Sequence, residues 1–381
     1  MSRNEGPVGQ IQTDGAGALD TDRTTQAAVA ALPHIPALDG LRGVAIIMVM
    51  LFHARVPGFS GGYLGVDVFF VLSGFLITSI LLEEQSRHGQ IAYGRFVLRR
   101  MTRLMPGLLT FLAAYLAVAP WAWPDIHNHA TQALISVLYL ADYTVALWEM
   151  PLQIGHIWSL SVEEHFYLFW PLILLFVRPS AQKLRRGLII AWLLAIVWRS
   201  VCLTVGQSWN EVYFRFDTRL SGLILGASLA AWRRAGAGVR LPDWAGMVAL
   251  ICLGVLAQLP WGWPPAMVWG VIGIEMATGV LILVLLNSGS AASQVLSAAP
   301  LVATGRISYG LYLWHYPIFV YLRAEQHWAV VMLVGGGLSF AVAALSFVTV
   351  ERWGMSLRNP GGWSRRFAQA MGRIADDTRK D

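Results

Sequence analysis

Charged residues are scarce in this chain. They make up only 13% of its 381 residues, whereas a soluble domain usually carries about a quarter. So few charges cannot cover a water-facing globule of this size, and the apolar fraction of 56% is too high for a disordered chain. The composition therefore predicts a protein that crosses a membrane several times, where its 17 Trp, 16 Phe and 11 Tyr residues serve as interface anchors.

Cysteines and targeting signals are equally sparse. The chain has 2 cysteines, Cys202 and Cys252, and both lie inside apolar runs, which excludes a disulfide framework and a cysteine-based metal site. Residues 1–34 contain no apolar segment of the signal-peptide type and are expected to form a flexible cytoplasmic tail. The basic residues 353–381 are expected to form a second cytoplasmic tail that is attracted to anionic membrane lipids.

Continuous apolar runs predict an all-α fold rather than a β-barrel, whose strands would alternate with a period of two. A helix needs roughly 20 residues to cross a bilayer, and runs of that length predict a transmembrane bundle of about ten spans. The predicted spans lie at about 38–56, 63–82, 104–120, 156–177, 187–205, 217–232, 242–259, 267–286, 307–322 and 328–350. The segment 131–147 is shorter and contains Asp142, so it is expected to be an interfacial or re-entrant helix.

The distribution of basic residues predicts the orientation of the bundle. With both termini in the cytoplasm, 23 of the 28 Lys and Arg residues fall on the inner side, as the positive-inside rule requires. Treating 131–147 as a full span would place the later basic loops outside. The formal charge of +6 therefore reflects topology, and no nucleic-acid partner is expected. The expected organisation is a transmembrane domain over residues 35–352 between the two tails.

The first span carries two polar residues that a purely structural helix would not need. Arg42 lies near its inner end, and His53 follows about 11 residues later, which places both side chains on one stripe roughly 16 Å apart along the axis. Arg42 alone is equally well explained as a snorkelling topology anchor, and an isolated histidine is usually a satisfied core residue. The alignment of the two, together with the cost of charge in a membrane, favours a functional role.

The second span adds a carboxylate at the level expected for the histidine. Asp67 enters from the outside after a short loop. It either holds the His53 ring in one tautomer or is a charge favoured by the N-terminus of its own helix. The small residues Gly65, Ser73 and Gly74 are expected to permit close helix packing.

The strongest basic cluster follows the second span on the inner side. Arg99, Arg100 and Arg103 occupy about one helical turn, and the last two are spaced so that both can face one ligand. Guanidinium groups bind phosphates bidentately. Arginines at this position also serve as topology anchors or bind anionic head groups, and residue type alone does not separate these roles.

The fourth and ninth spans carry further polar candidates. Glu163 and Glu164 enter the outer third of the membrane beside Trp158 and Tyr167, and adjacent carboxylates at that depth have no evident structural use. In the ninth span, His315 is expected near the midplane of the bilayer.

Taken together, these segments resemble the membrane acyltransferase 3 family, the integral-membrane O-acyltransferases of bacterial surface glycans and some antibiotics. The matching segments are, in order, ALDGLRGVAIIMVMLFHA, GGYLGVDVFFVLSGFLIT, FVLRRMTRLMP, IGHIWSLSVEEHFYLFWP, FDTRLSGLILGASLA and ISYGLYLWHYPIF. They cover about residues 36–352, and their combination is specific although each piece alone is weak. The R-x10-H pattern of the family falls on Arg42 and His53, and its R-x-x-R pattern on Arg100 and Arg103. Some members carry an added periplasmic hydrolase-like domain, which is not expected in this sequence.

The resemblance implies acyl transfer from a cytoplasmic acyl-CoA, most often acetyl-CoA, across the inner membrane. The acceptor would be a hydroxyl of a glycan, a lipid-linked sugar or a glycosylated small molecule, and no metal is implied. Arg42, Arg100 and Arg103 would bind the phosphates of coenzyme A. His53 would act either as the general base on the acceptor hydroxyl or as the nucleophile that carries the acyl group.

Six further residues are expected to assist this reaction. They are Glu164 and Asp67 in the catalytic site, and Glu163, Trp158, Tyr167 and His315 in the acceptor-binding site. The carboxylates and His315 would orient His53 or hold sugar hydroxyls, while the aromatic rings would stack on the acceptor.

Two other classes of protein are alternatives. A secondary transporter or proton-coupled exporter also places His and Glu in mid-membrane, but it is expected to show repeats and broken helices in both halves. No such duplication is evident, and the arginine cluster occurs once. A non-catalytic membrane scaffold would leave Arg42, His53 and Glu164 unexplained.

Overall fold

The computed structural model describes residues 34–357, apart from 151–152, 178–179, 237–240 and 288. Within these residues the chain forms helices and turns and no strand, which confirms the all-α fold. The two expected cytoplasmic tails, 1–34 and 353–381, lie almost wholly outside the described residues.

Every span predicted from the sequence coincides with a helix. The first half contains α1 (Pro36–His53), α2 (Gly65–His88), α3 (Tyr93–Ala122), α4 (His129–Val137), α5 (Ala141–Trp148), α6 (Trp158–Val177), α7 (Ala181–Thr204) and α8 (Trp209–Phe214). The second half contains α9 (Phe216–Arg234), α10 (Asp243–Leu256), α11 (Val271–Leu285), α12 (Ala291–Leu296), α13 (Ala299–Arg306), α14 (Ser308–Leu322), α15 (Trp328–Val330), α16 (Gly336–Ser346) and α17 (Arg352–Ser356). The π-helical turns Val331–Gly335 and Phe347–Glu351 join the last three into one continuous segment, Trp328–Ser356.

In the described part of the chain, 7 helical segments are by themselves long and apolar enough to cross a membrane. The remaining predicted spans correspond to α9, α10 and α14, which have 19, 14 and 15 residues. Two of these are short, and α9 carries Asp217 in its first turn and Arg233 and Arg234 in its last. The polytopic helical bundle is therefore confirmed, while the full number of spans and the cytoplasmic termini stay predictions.

Glycines at helix crossings explain how closely the core helices approach one another. Where α1 packs on α13, a methyl group on Gly43 would lie 2.3 Å from the Leu301 carbonyl oxygen. Where α2 packs on α9, a methyl group on Gly74 would lie 2.0 Å from the Leu223 carbonyl oxygen, and Gly65 is equally tight against α1. Small residues are the usual means of close approach between membrane helices, so the packing role predicted for Gly65 and Gly74 is confirmed.

The segment 131–147 forms a helical hairpin rather than one helix. Its two parts, α4 and α5, are separated at Tyr139, whose φ of 53° lies in the left-handed region and turns the chain. α4 runs antiparallel to α3, because His129 shares a 2.8 Å hydrogen bond with Tyr115 whereas Tyr139 contacts Met105, further back along α3, at 3.5 Å. The segment thus reverses direction within the described structure, and its interfacial or re-entrant placement in the membrane stays a prediction.

A buried charge network joins α2, α7, α9 and α11. Asp67 accepts two hydrogen bonds from Nη2 of Arg219, at 2.7 and 2.8 Å. Beside this pair, Arg199 lies 4.0 Å from Glu275. The Ser221 hydroxyl bridges them, since it accepts from Arg199 at 2.7 Å and donates to Glu275. All four charged side chains are buried, and they compensate one another, which is the condition for tolerating charges in a dry interior.

Candidate active site

Two histidines from different helices meet at one end of the bundle. His53 is the last residue of α1 and is half-buried, while His315 lies in the middle of α14 and is fully buried. The Nδ1 atom of His53 lies 2.9 Å from Nε2 of His315. The Nδ1 atom of His315 lies 2.8 Å from the carbonyl oxygen of Leu311, one helical turn earlier. A chain of hydrogen bonds thus runs from His53 to the backbone of α14.

This chain assigns the proton positions on both rings. A carbonyl oxygen only accepts, so His315 donates from Nδ1 and, as a neutral ring, presents the lone pair of its Nε2. His53 must then donate from Nδ1, which leaves a lone pair on its own Nε2. His53 is thereby held as the tautomer that takes up a proton, or attacks a carbonyl carbon, through Nε2.

Three further side chains surround the paired histidines. The ring of His156 stacks on Tyr316 with 4.7 Å between centroids, and the ring of Tyr316 meets that of His53 edge-on at 4.8 Å. Arg323 follows α14 and donates to the carbonyl oxygen of His53 at 3.1 Å. This hydrogen bond satisfies one of the free carbonyl groups at the end of α1 and places a positive charge at its negative pole.

The sequence interpretation does not include His156, although it lies in one of the matched segments. It is buried in the turn Gly155–Ile157 before α6. Tyr312 donates to its carbonyl oxygen at 2.6 Å, and its Nε2 donates to the Leu313 carbonyl at 3.2 Å. Its Nδ1 has no hydrogen-bond partner within the described residues. The available signal was a histidine directly before a membrane helix, on the side where His53 is expected.

Two predicted site residues belong to the buried charge network instead. Asp67 does not orient His53, because its carboxylate binds Arg219 and the ring partner of His53 is His315. The close packing of α2 on α9 brings Arg219 against Asp67, which the sequence could not reveal. Trp158 is buried with its ring 5.7 Å from the Arg219 guanidinium, so it supports this pair rather than presenting a stacking surface to an acceptor.

The other end of the bundle contains the predicted arginine cluster. Arg100 lies 4.2 Å above the ring of Tyr167, and its buried Nε atom has no hydrogen-bond partner in the described part of the chain. Arg100 and Arg103 are half-buried, whereas the neighbouring Arg99 is exposed. The two residues of the R-x-x-R pattern are thus less exposed than Arg99, and their shared ligand stays a prediction. Tyr167 is covered by Arg100, which corrects the expectation that its ring stacks on an acceptor.

The adjacent carboxylates of α6 border this arginine cluster. Glu163 accepts a 2.6 Å hydrogen bond from Ser73, so Ser73 does more than permit helix packing. Glu163 also interacts electrostatically with Arg100 and Arg42. Glu164 is only 8% exposed, and its Oε1 atom has no hydrogen-bond partner among the residues described. Arg100 is the cation that acts on it most strongly. Neither carboxylate hydrogen-bonds to His53 in the described structure, which corrects the expectation that they orient its ring.

Glu351 is a third carboxylate in the same cluster, and sequence reasoning missed it. It is buried in the π-helical turn before α17 and interacts electrostatically with Arg103 and Arg42. The absence of a side chain at Gly310 makes room for it, because a methyl group there would lie 3.1 Å from its Oε1 atom. The sequence alone could not predict that Glu351 is buried, because a charged residue at the end of the last span, next to a basic tail, is usually exposed.

The histidines and the arginine cluster lie at different depths of the bundle. Arg42 and His53 share the uninterrupted helix α1, so they are separated by roughly 16 Å along its axis. Arg306 marks the N-terminal side of α1 through a 3.6 Å contact with Asp39, and Arg323 marks the C-terminal side. Among the described residues, no group of three or more His, Cys, Asp or Glu side chains is arranged to hold a metal ion.

The fold and the site define a class: a multi-pass helical membrane protein with a hydrogen-bonded histidine pair at one end and a buried arginine–carboxylate cluster towards the other. The chain matches the acyltransferase domain family over residues 35–349, and it belongs to that family. The resemblance carried by the sequence motifs is thus confirmed.

Curated relatives of the chain are similar over most of its length. The peptidoglycan O-acetyltransferase OatA of Listeria monocytogenes is 30% identical over 348 residues, which are 84% of this chain and 55% of the relative. The O-acetyltransferase OatA of Staphylococcus aureus is 32% identical over 316 residues, 76% of this chain and 51% of the relative. The putative peptidoglycan O-acetyltransferase YrhL of Bacillus subtilis is 30% identical over 351 residues, 84% of this chain and 54% of the relative.

The chain spans about half the length of the curated relatives it matches. No solved structure matches it significantly.

Proposed function

We propose that this protein is an O-acyltransferase of the cytoplasmic membrane. It moves an acyl group, most often acetyl, from acyl-CoA on the cytoplasmic side to a hydroxyl of a glycan, a lipid-linked sugar or a glycosylated small molecule. The observation that carries the proposal is the hydrogen-bond chain from His53 through His315 to Leu311. It provides a histidine with a defined free nitrogen, which is what base or nucleophilic catalysis of acyl transfer needs.

In direct transfer, Nε2 of His53 removes the proton from the acceptor hydroxyl. The oxygen forms a bond to the thioester carbonyl carbon, the carbon–sulfur bond breaks, and the coenzyme A thiolate leaves and takes up a proton. The proton that the thiolate takes up comes from the imidazolium of His53, which thereby returns to its neutral form. His315 stays in place as the acceptor of the His53 Nδ1–H throughout and stabilises the positive charge that develops on the ring.

In the covalent alternative, Nε2 of His53 itself attacks the thioester carbon. A nitrogen–carbon bond forms and the thiolate leaves. In a second step the acceptor hydroxyl attacks the acyl carbon, the nitrogen–carbon bond breaks, and the hydroxyl proton neutralises the thiolate. Rapid mixing with radiolabelled acetyl-CoA in the absence of acceptor separates the two routes. The covalent route places one label on the wild-type protein and none on His53→Ala, whereas direct transfer labels neither.

The arginine cluster is the proposed binding site for the phosphates of the donor. Arg100 carries a buried Nε–H without an acceptor among the described residues, and Arg103 lies on the same face of α3. A guanidinium with an unused donor suits a phosphate oxygen. Arg42 and His53 are separated by about 16 Å along α1, a distance that the long arm of coenzyme A can span. The arginines would hold its phosphates while the thioester reaches the histidine.

The acceptor is proposed from the relatives, two of which are named as acting on peptidoglycan. A hydroxyl of a cell-envelope glycan is therefore the first acceptor to test. Mass spectrometry of surface glycans and of small-molecule glycosides, from cells with and without the gene, should show an acyl mass difference on one of them. Identical masses in every fraction, together with altered export of a small solute, would instead support the transporter alternative.

A further inference from the structure

An open cavity lies at the same end of the bundle as His53. Its volume is about 450 Å³, within the range of roughly 300–1,000 Å³ that is usual for small-molecule sites. The residues that line it include Asp125, His127, Asn128, Gln132, Met150 and Gln153. They come from the α3–α4 connection, from α4 and from the segment between α5 and α6, none of which the sequence assigned to the site.

The position of the cavity follows from aromatic contacts around the end of α3. The ring of Trp123 lies 6.1 Å from that of Tyr321 in the last turn of α14. Arg323, two residues further on, binds the carbonyl oxygen of His53. The connection after Trp123 therefore lies at the end of the bundle that carries the histidine pair, and not at the end that carries the arginine cluster.

The wall of the cavity is a hydrogen-bonded network of amides. The side-chain nitrogen of Gln132 donates to Asn128 at 2.7 Å and to Gln153 at 3.1 Å, and its oxygen accepts from Tyr115 at 3.3 Å. Tyr115 is held in turn by His129 at 2.8 Å. Such a satisfied network fixes the orientation of each amide before any ligand arrives.

The network leaves polar groups free for a ligand. The Oε1 atom of Gln153 accepts from Gln132, but its amide nitrogen donates to no atom of the described residues. Asp125 and His127, which also line the cavity, are exposed. The cavity therefore offers amide donors, a carboxylate acceptor and an imidazole, and none of the described arginines or lysines lines it. This balance suits a neutral ligand with many hydroxyl groups rather than a phosphate or an apolar chain.

The chain also connects the cavity directly to the histidines. Gln153 is followed after two residues by His156, whose ring stacks on Tyr316, and Tyr316 contacts the His53 ring. The segment from Gln153 to His156 thus runs from the cavity wall to the aromatic rings around His53.

We propose that this cavity is a saccharide subsite, which binds one sugar unit of the acceptor while the hydroxyl of another unit reacts at His53. The proposal rests on the proposed function, because it names where that acceptor is held. Asp125 accepts from sugar hydroxyls, and the free amide of Gln153 donates to them.

Isosteric variants test the subsite while keeping the network intact. Gln153→Glu keeps the oxygen that accepts a hydrogen bond from Gln132 but removes the free amide donor. Asp125→Asn removes the negative charge of the carboxylate. Matched controls are Gln326→Glu and Glu325→Gln, which make the same changes at exposed positions after α14. The acceptor is the tetramer of β-1,4-linked N-acetylglucosamine, and acetyl transfer to it from acetyl-CoA is measured in reconstituted vesicles.

We expect the KM for the tetramer to rise about 5- to 20-fold in both variants, since Gln153→Glu loses a donated hydrogen bond and Asp125→Asn loses the charge that strengthens an accepted one. The KM should stay unchanged in both controls. Equal KM values in all variants would overturn the subsite and leave the proposed function standing. A wild-type protein that transfers acetyl to no saccharide at all would instead overturn the proposed function.

Chemical protection provides a second measurement that does not depend on turnover. In a Cys252→Ser background, His127→Cys places a thiol at the cavity, and Gln326→Cys places one on the surface at the same end. The tetramer should slow labelling of the first thiol by a polar maleimide and leave the second unaffected. Equal labelling rates with and without the tetramer would overturn the proposal.

Discussion

His53 donates from Nδ1 to Nε2 of His315 across 2.9 Å, and His315 donates from its own Nδ1 to the carbonyl oxygen of Leu311. The two rings belong to helices that are far apart in the sequence, yet the backbone carbonyl of Leu311 determines the protonation pattern of both. Because the carbonyl only accepts, the free lone pair must appear on Nε2 of His53. The reactive nitrogen is thus selected by the fold of α14.

Replacing His315 should lower turnover without changing donor binding. His315→Leu removes the acceptor for the His53 Nδ1–H, so the ring loses both its orientation and its tautomer, and we expect kcat to fall about 100-fold or more. His315→Gln offers an amide oxygen at a similar position and should recover part of this loss. Both variants should keep the wild-type KM for acetyl-CoA. If His315→Leu raised the KM and kept kcat, His315 would hold a substrate instead of positioning His53.

The donor should bind less tightly when the inward arginines are removed. A hydrogen bond from a guanidinium to a phosphate contributes about 1.5–3 kcal/mol, so Arg100→Ala and Arg103→Ala should each raise the KM for acetyl-CoA roughly 10- to 100-fold. Arg99→Ala is the matched control, because Arg99 belongs to the same helix but is exposed. Equal donor KM values in all three variants would contradict a phosphate-binding role for this pair.

Glu164→Gln should affect turnover more than donor binding. The change keeps the size of the side chain but removes a buried carboxylate whose Oε1 atom accepts no hydrogen bond from the described residues and is therefore available to the reaction. We expect kcat to fall about tenfold while the dissociation constant for acetyl-CoA changes less than threefold. Calorimetric titration of the donor, beside rate measurements on the same preparation, checks this split. A loss confined to donor affinity would place Glu164 in the binding site alone.

The Asp67–Arg219 pair should matter for stability. Asp67→Asn leaves the buried guanidinium without its counter-charge, and breaking such a pair costs about 3–5 kcal/mol. We expect the midpoint of thermal unfolding in detergent to fall markedly. Glu83→Gln, which breaks the exposed pair with Arg87 on the same helix, should change stability by less than about 1 kcal/mol.

The double variant Asp67→Leu/Arg219→Met removes both charges and should regain much of the lost stability, because a packed apolar pair replaces an ion pair at similar volume. Activity lost in this double variant despite a wild-type unfolding midpoint would show that Asp67 or Arg219 takes part in the reaction.

The helices were predictable because each apolar run must satisfy its backbone hydrogen bonds within itself. That Arg100 and Arg103 lie on one face of α3 was also predictable, since residues three apart share a helix face. The partners of Asp67 and His53 were not, because each is chosen by the contact of helices distant in sequence. The burial of Trp158 and Glu351 depends on the same contacts, as does the break at Tyr139 that turns 131–147 into a hairpin.

The central claim is that His53 performs acyl transfer between a donor on one side of the membrane and an acceptor hydroxyl on the other. Its most direct test uses sealed vesicles that contain the purified protein in one orientation. Radiolabelled acetyl-CoA is added on the side of the membrane nearer Arg100, and a soluble glycan is present on the side nearer His53. The wild-type protein should label the glycan, and His53→Ala, inserted at the same level, should lose at least about 100-fold of that rate. Labelling of the glycan by His53→Ala at the wild-type rate would contradict the account.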